Sequence, residues 1–395
     1  MRKLYLVLFL DLVFLLYGVK ELDISSKEAS IFYERGDFLH YLITFSTSLF
    51  GQNDFALRLP FITFHLLSVI LLYKISELYI KKEEDRVYAI ALFILLPGVL
   101  SSSLIVNTAP ITIFFTLLFV YLYEKDKKYL YFPLLIMMAF IDNAFEILYL
   151  GVFTYALFKN NQKLYILSGI LFLLTLYVYG FDSGGKPKGY FLDTLAMYAL
   201  VFSPFLFLYY FYAMYRILFK REKTLLWFIS FTALMLSILL SFRQRIPITD
   251  FAPYGAIAIP LVYENFLKSF KIRLPQFRKW YKRGLYATIF LLGLNFLITY
   301  FNKTLYLFLP NPDIHFAQKF HIAKQLSKKL KLLNINQVSC QDKNLANRLK
   351  FYGISKGEKY LLSDTRLSKN AKKVTISYTF KPIKTYYVSK LHTLE

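Results

Sequence analysis

The run FALRLPFITFHLLSVILLYKISEL, residues 55–78, decides the class of this protein. Between Arg58 and Lys74 no residue carries a formal charge. The run has the roughly 20 mostly apolar residues that a helix needs to cross a bilayer. Working outward, comparable runs stand at Leu4–Val19, Val87–Val106, Thr108–Tyr123, Tyr129–Ile141 and Phe145–Phe158. Others follow at Leu164–Tyr179, Thr194–Tyr215, Leu225–Phe242, Phe251–Phe266 and Leu285–Phe301. The expected class is therefore an all-α polytopic membrane protein with about eleven transmembrane helices. The two short runs around Asp142 also fit one broken or re-entrant element. The first run lacks a small-residue cleavage site and reads as a retained anchor.

Composition agrees. Apolar residues make up 56% of the 395 and aromatics 19%, whereas a soluble domain holds about 45–50% apolar residues. A net charge of +23 would also suit a nucleic-acid binder. Here, however, the basic residues fall in short clusters between apolar runs and in a basic tail, so no nucleic-acid partner is expected. The single cysteine, Cys340, excludes an internal disulfide and any CxxC site, and five scattered histidines argue against a zinc cluster.

Every second loop is basic. Arg2 and Lys3, Lys81 to Arg86, Lys125 to Lys128, Lys159 and Lys163, Arg216 to Lys223, and Lys268 to Arg283 alternate with less basic loops. By the positive-inside rule these belong in the cytoplasm, which puts the N-terminus inside and the C-terminus outside. The expected domains are a membrane part, 1–301, with outer loop one at 20–54, and a small α/β domain at 302–395. In the latter, His315–Leu333 reads as an amphipathic helix, and strand-like runs stand at 337–339, 360–362 and 374–380.

The unusual residues lie in the outer loops. KELDISSKEASIFYERGD, residues 20–37, holds Asp23 and Glu28 among its acids. Carboxylates at a membrane face can serve as general base or hold a divalent metal; a solvated amphipathic helix is the plain alternative. Arg243 and Arg245 sit where the charge rule depletes cations, and arginine suits bidentate phosphate binding. Lys186 and Lys188, in the Gly-rich loop 180–190, could close over a phosphate, although the P-loop spacing is absent. Asp142 reads as a cap for the helix that follows, and Asp11 as a buried acid paired with Lys74 or His65. His40, Tyr33, Asp142 and Asp250 are further candidates for lining a cavity, as are Tyr41, Tyr190 and Tyr254.

The segments KEASIFY (27–33), Gly36-Asp37 and LFGQNDFALRLP (49–60) resemble the polyprenyl-phosphate-dependent GT-C glycosyltransferases, namely the family 39, protein O-mannosyltransferase-like group and the lipid A aminoarabinose transferase group. The resemblance implies a GT-C-like bundle in a bacterial inner membrane, with a periplasmic C-terminal domain. It implies a donor sugar on polyprenyl phosphate and a periplasmic acceptor: lipid, glycan or protein. Glu28 carries over as the acid, and Asp23 stands in for the second member of the family's acidic pair, where this chain has Lys27. No cofactor is firmly implied; a divalent ion, magnesium or manganese, is the candidate, with its ligands unknown. Two rivals are a non-catalytic GT-C relative and a lipid-linked-sugar transporter.

Overall fold

A computed structural model describes residues 2–34, 36–180, 189–367 and 371–390. Loop 181–188, with Lys186 and Lys188, lies outside the described residues. The helices are α1 (Arg2–Glu21), α2 (Ser26–Tyr33), α3 (Phe38–Phe50), α4 (Asp54–Ser76), α5 (Glu83–Ile94), α6 (Pro97–Leu104) and α7 (Ala109–Glu124). Then come α8 (Lys128–Met138), α9 (Phe145–Phe158), α10 (Gln162–Tyr179), α11 (Phe191–Phe202), α12 (Pro204–Lys220) and α13 (Leu225–Ser241). The chain continues through α14 (Ile248–Ala256), α15 (Ile259–Ile272), α16 (Pro275–Tyr300), α17 (Leu305–Phe308), α18 (Ala323–Leu332) and α19 (Lys343–Phe351).

Each expected span coincides with a helix or a pair of helices, but length supports fewer crossings. Among the described residues α4, α10 and α16 are long and apolar enough to cross alone; counting each bent pair as one span gives up to five. α8 has 11 residues, about 16 Å of rise, or half a hydrocarbon core. The run expected at 194–215 is broken by a 106° bend between α11 and α12. Ser203, at the corner, has φ 72°, and Pro204 follows. Proline cannot donate to a preceding turn, so α12 starts anew there. The run expected at 251–266 is likewise divided, between α14 and α15. Around Asp142 the structure has two separate helices, α8 and α9.

By contacts the chain forms two units, each drawn from several stretches of sequence. The first comprises Met1–Leu12, Phe61–Ser103 and Asn107–Phe296; the second comprises Val13–Pro60, Leu104–Val106 and Leu297–Glu395.

The first unit is an apolar helical core tied by hydrogen bonds between helices. Tyr149 Oη donates to the Leu135 carbonyl at 2.7 Å, Tyr254 Oη to the Ala144 carbonyl at 2.7 Å, and Tyr198 Oη to Ser237 Oγ at 2.9 Å. Such bonds hold helices together where lipid supplies no hydrophobic drive. Close approach adds to this: a Cβ on Gly151 would stand 2.8 Å from Ile229 Cα, so α9 and α13 meet backbone to backbone. Asp11 pairs with His65 at 2.8 Å, and both are buried. Of the two partners expected for Asp11, His65 is the one found.

The second unit carries a four-stranded sheet of order β1 (Gln337–Cys340), β2 (Ser355–Ser363), β4 (Lys381–Lys390), β3 (Lys372–Tyr378). β1 and β2 are parallel, joined through α19, and the other pairs are antiparallel. Leu326 and Leu330 of α18, Leu349 of α19 and Ile376 of β3 are fully buried in its core. The helix expected at 315–333 begins only at Ala323. His315 accounts for the difference: its Nδ1 accepts from the Ala317 N–H at 3.0 Å, and its Nε2 lies 2.8 Å from the Asn302 carbonyl. The ring thus fixes a turn where helix was expected.

Candidate functional site

Segment 20–54 is organised by a buried ion pair. Ser25 starts α2 as N-cap, and its Oγ accepts from the Glu28 N–H at 3.2 Å while Glu28 Oε2 accepts from the Ser25 N–H at 2.8 Å. This reciprocal capping box aims the Glu28 carboxylate back along the helix. There it meets Arg58, near the start of α4: Nε to Oε1 at 3.1 Å and Nη2 to Oε2 at 3.0 Å. The Val106 N–H adds a fourth bond, to Oε1 at 3.0 Å. Arg58 also donates to the Leu22 and Asp23 carbonyls, at 2.7 and 2.8 Å. Arg58 is 0% exposed and Glu28 1%. Burial alone would raise the Glu28 carboxyl, but the Arg58 charge and the hydrogen bonds outweigh it and hold the group below its ordinary value.

Beside this pair lies a second cluster. Asp23 Oδ2 accepts from the Lys324 N–H at the start of α18, at 2.9 Å, and the same residue's Nζ reaches Asp54 Oδ2 at 2.7 Å. Tyr352 Oη donates to Asp54 Oδ1 at 2.5 Å and accepts from the Ile24 N–H at 2.9 Å. Arg348 Nε donates to the Ile24 carbonyl at 3.0 Å. Burial pushes the Asp23 carboxyl up to about 6, with the Asp54 charge adding to it; the Lys324 N–H and the charges of Arg348 and Lys303 pull the other way. A carboxyl titrating there can exchange a proton near neutral pH, as a general base must.

The remaining expected residues divide between the units. His40 is half-buried, with Nδ1 3.0 Å from the Ile31 carbonyl, and Asp37 caps its backbone N–H. Tyr33 Oη accepts from Gln52 Nε2 at 3.3 Å, and the Lys350 ammonium stands 4.3 Å from its ring. Both residues belong to the second unit, with Asp23 and Glu28. Arg243, Arg245, Asp142 and Asp250 belong to the first. Arg243 and Arg245 are exposed. Asp142 Oδ1 accepts from the Ala144 N–H at 2.9 Å, so it caps the turn leading into α9. Glu146, one turn on, lies within electrostatic reach of both Asp142 and Asp250. Tyr41 is exposed, and Tyr254 is fully buried.

A divalent ion does not fit the cluster at Asp23 and Asp54, because the Lys324 ammonium already meets the Asp54 carboxylate. Among the described residues no group of three or more His, Cys, Asp or Glu side chains is placed to hold a metal.

Arg58 lies inside ALRLP, the part of the sequence that carries the resemblance, and its partner Glu28 lies in the other part. Residues 37–206 match the family model described as dolichyl-phosphate-mannose-protein mannosyltransferase. This stretch is GT-C glycosyltransferase-like. The match supports a multi-pass membrane glycosyltransferase of the GT-C type. The GT-C-like stretch includes Asp54, Arg58, Asp142 and Glu146, and leaves Asp23, Glu28, Arg243 and Arg245 outside. No curated protein and no solved structure matches the chain.

Sequence reasoning missed Arg58, Asp54, Lys324, Arg348 and Tyr352. The spacing Ser25-x-x-Glu28 was a visible signal for the capping box. Nothing local marks Lys324 or Tyr352, which come together with Asp54 only through the fold.

Proposed function

We propose that this protein transfers a sugar from a polyprenyl-phosphate donor to an acceptor hydroxyl or amine in the cell envelope, at the outer face of a bacterial inner membrane. The family match over residues 37–206 carries the reaction class. The helices are read as eleven spans, with the N-terminus in the cytoplasm and the residues after 302 in the periplasm; the alternation of basic loops supports this.

In this reading Asp23 is the general base and Glu28 positions it. Asp23 titrates near 6, and its backbone is held by the Arg58 fork that Glu28 orients. Glu28, with four donors on its two oxygens, has little basicity left for an acceptor. The acceptor oxygen or nitrogen attacks the anomeric carbon as its proton passes to Asp23. The bond from that carbon to the phosphate oxygen breaks with inversion. The leaving phosphate's charge calls for cations, and Arg243 and Arg245, with Lys186 and Lys188, are the candidates that the sequence offers for that role. No step is routed through a metal.

One observation favours a second reading. Asp23 is 4% exposed and Asp54 6%, both against α18 and α19. Acids used as a latch for the C-terminal segment would suit a non-catalytic GT-C relative in envelope assembly. Incubating the purified protein with radiolabelled polyprenyl-phosphate sugars and envelope extract decides between the two. Transfer that disappears in a folded Asp23→Asn variant supports the enzyme and its base. No transfer from any donor supports the second reading.

A further inference from the structure

The mechanism leaves unused an apolar groove in the first unit. It has a volume of about 360 Å³, lies among α12, α15 and α16, and is lined by Phe205, Leu208, Val262, Phe266, Trp280 and Leu285 among others. Tyr212 also lines a second cavity of about 340 Å³, whose lining includes Arg216, Lys220, Ser269 and Arg273. Either volume suits part of a small amphiphile.

The two halves differ in chemistry. Phe205, Leu208 and Trp280 leave the groove open to the surface, at 51%, 65% and 71% exposed. In the cleft, Arg216 donates to Ser269 Oγ and reaches Tyr212 Oη at 3.5 Å, contacts that fix its guanidinium without neutralising it. Arg273 lies on the Tyr281 ring, 4.2 Å from its centre. Among the described residues no carboxylate pairs with Arg216, Lys220 or Arg273. Glu264, the acid on α15, is engaged by Arg221 and Lys268. Three cations thus face one cleft at the carbonyl ends of α12 and α15, where helix dipoles stabilise cations and disfavour a bare anion. The side chains make the cleft anion-attracting.

We infer that this groove and cleft form a binding site for one anionic phospholipid, with an acyl chain along α12, α15 and α16 and the phosphate between Arg216 and Arg273. Arginine forks match phosphate oxygens, and Lys220 adds charge. A free phosphate would leave the adjoining groove unfilled, and a choline headgroup would bring a cation to three others. The site is separate from the proposed donor phosphate: the C-terminal end of α12, with Arg216 and Lys220, precedes α13, and Arg243 and Arg245 follow it, and the 17 residues of α13 span about 25 Å.

The test is lipid titration of the purified, delipidated full chain in detergent, read as thermal stabilisation. The probes are dioleoyl phosphatidylglycerol, dioleoyl phosphatidylcholine and inorganic phosphate. The expected result is an apparent affinity for phosphatidylglycerol about tenfold or more tighter than for phosphatidylcholine, with no stabilisation by phosphate alone. Arg216→Gln with Arg273→Gln should abolish the preference. Lys220→Gln, an exposed residue with no contact to lose, should reduce it with the fold untouched. Equal affinity for the two lipids in the wild type, or an unchanged preference in Lys220→Gln and the double variant, overturns the site. The same stabilisation from inorganic phosphate overturns the lipid.

Discussion

Arg58 reaches both carboxylate oxygens of Glu28, at 3.1 and 3.0 Å, across 30 residues of sequence, and neither side chain meets solvent. Two segments that carry the family resemblance are therefore physical partners.

Glu28→Gln should destabilise the protein by about 3–5 kcal/mol, the usual cost of leaving one buried charge without its partner. Detergent-phase thermal unfolding measures it. The pH dependence follows from the depressed carboxyl. The stabilisation is complete above the ordinary value of 4.5 and is lost as pH falls through the lower folded value. Lost transfer in this variant would therefore report a damaged loop rather than a missing base.

Asp23→Asn has the opposite sign. Its carboxyl titrates at about 6 when folded against 3.8 when free, so the folded state holds the proton more tightly. Stability falls as pH rises from 3.8 to 6 and levels off above. Asparagine keeps an acceptor for the Lys324 N–H and removes the penalty. The variant should gain about 1–3 kcal/mol at pH 7.5 and little below pH 4, since each tenfold change in proton affinity is worth about 1.4 kcal/mol. Under the proposed function it should also lose transfer. A more stable, inactive variant would separate base from scaffold; an active one would remove Asp23 from the mechanism.

Lys324→Met should cost more than Tyr352→Phe. The phenol contributes one hydrogen bond to Asp54 and one acceptor for the Ile24 N–H, about 1–2 kcal/mol. The lysine's removal leaves the buried Asp54 carboxylate without its ion-pair partner, roughly 3 kcal/mol or more. Protease susceptibility of the C-terminal segment should rise in that order.

Gly151→Ala tests the packing of α9 on α13. The added methyl meets Ile229 Cα at 2.8 Å, and backbone cannot rotate aside. The expected loss is about 1–3 kcal/mol, read by thermal unfolding, whereas Gly284→Ala, with open space at its Cβ, should be neutral or slightly stabilising.

Apolar periodicity located almost every helix of the first unit, because burial in a bundle or in lipid writes itself into local sequence. It could not show that Ser203 and Pro204 break one run by 106°, since proline is tolerated in many membrane helices. It gave three strand positions but missed β4, KPIKTYYVSK, whose buried Ile383, Tyr386 and Val388 fall out of strict alternation. Asp23 and Glu28 were visible as unusual acids. That Glu28 is consumed by Arg58 and Asp23 by Lys324 was not, since those partners lie 30 and 301 residues away.

The second unit is assembled from Val13–Pro60, Leu104–Val106 and Leu297–Glu395. During synthesis, Arg58, Asp54 and Asp23 emerge long before Lys324, Arg348 and Tyr352. Arg58 meets Glu28 within the early segment, but Asp23 and Asp54 must wait for their partners until every intervening helix has been made. Closing so long a circuit is slow and exposed to mispairing. A break after residue 301 would therefore strand Asp23 and Asp54 without Lys324 and Tyr352, the groups that complete them.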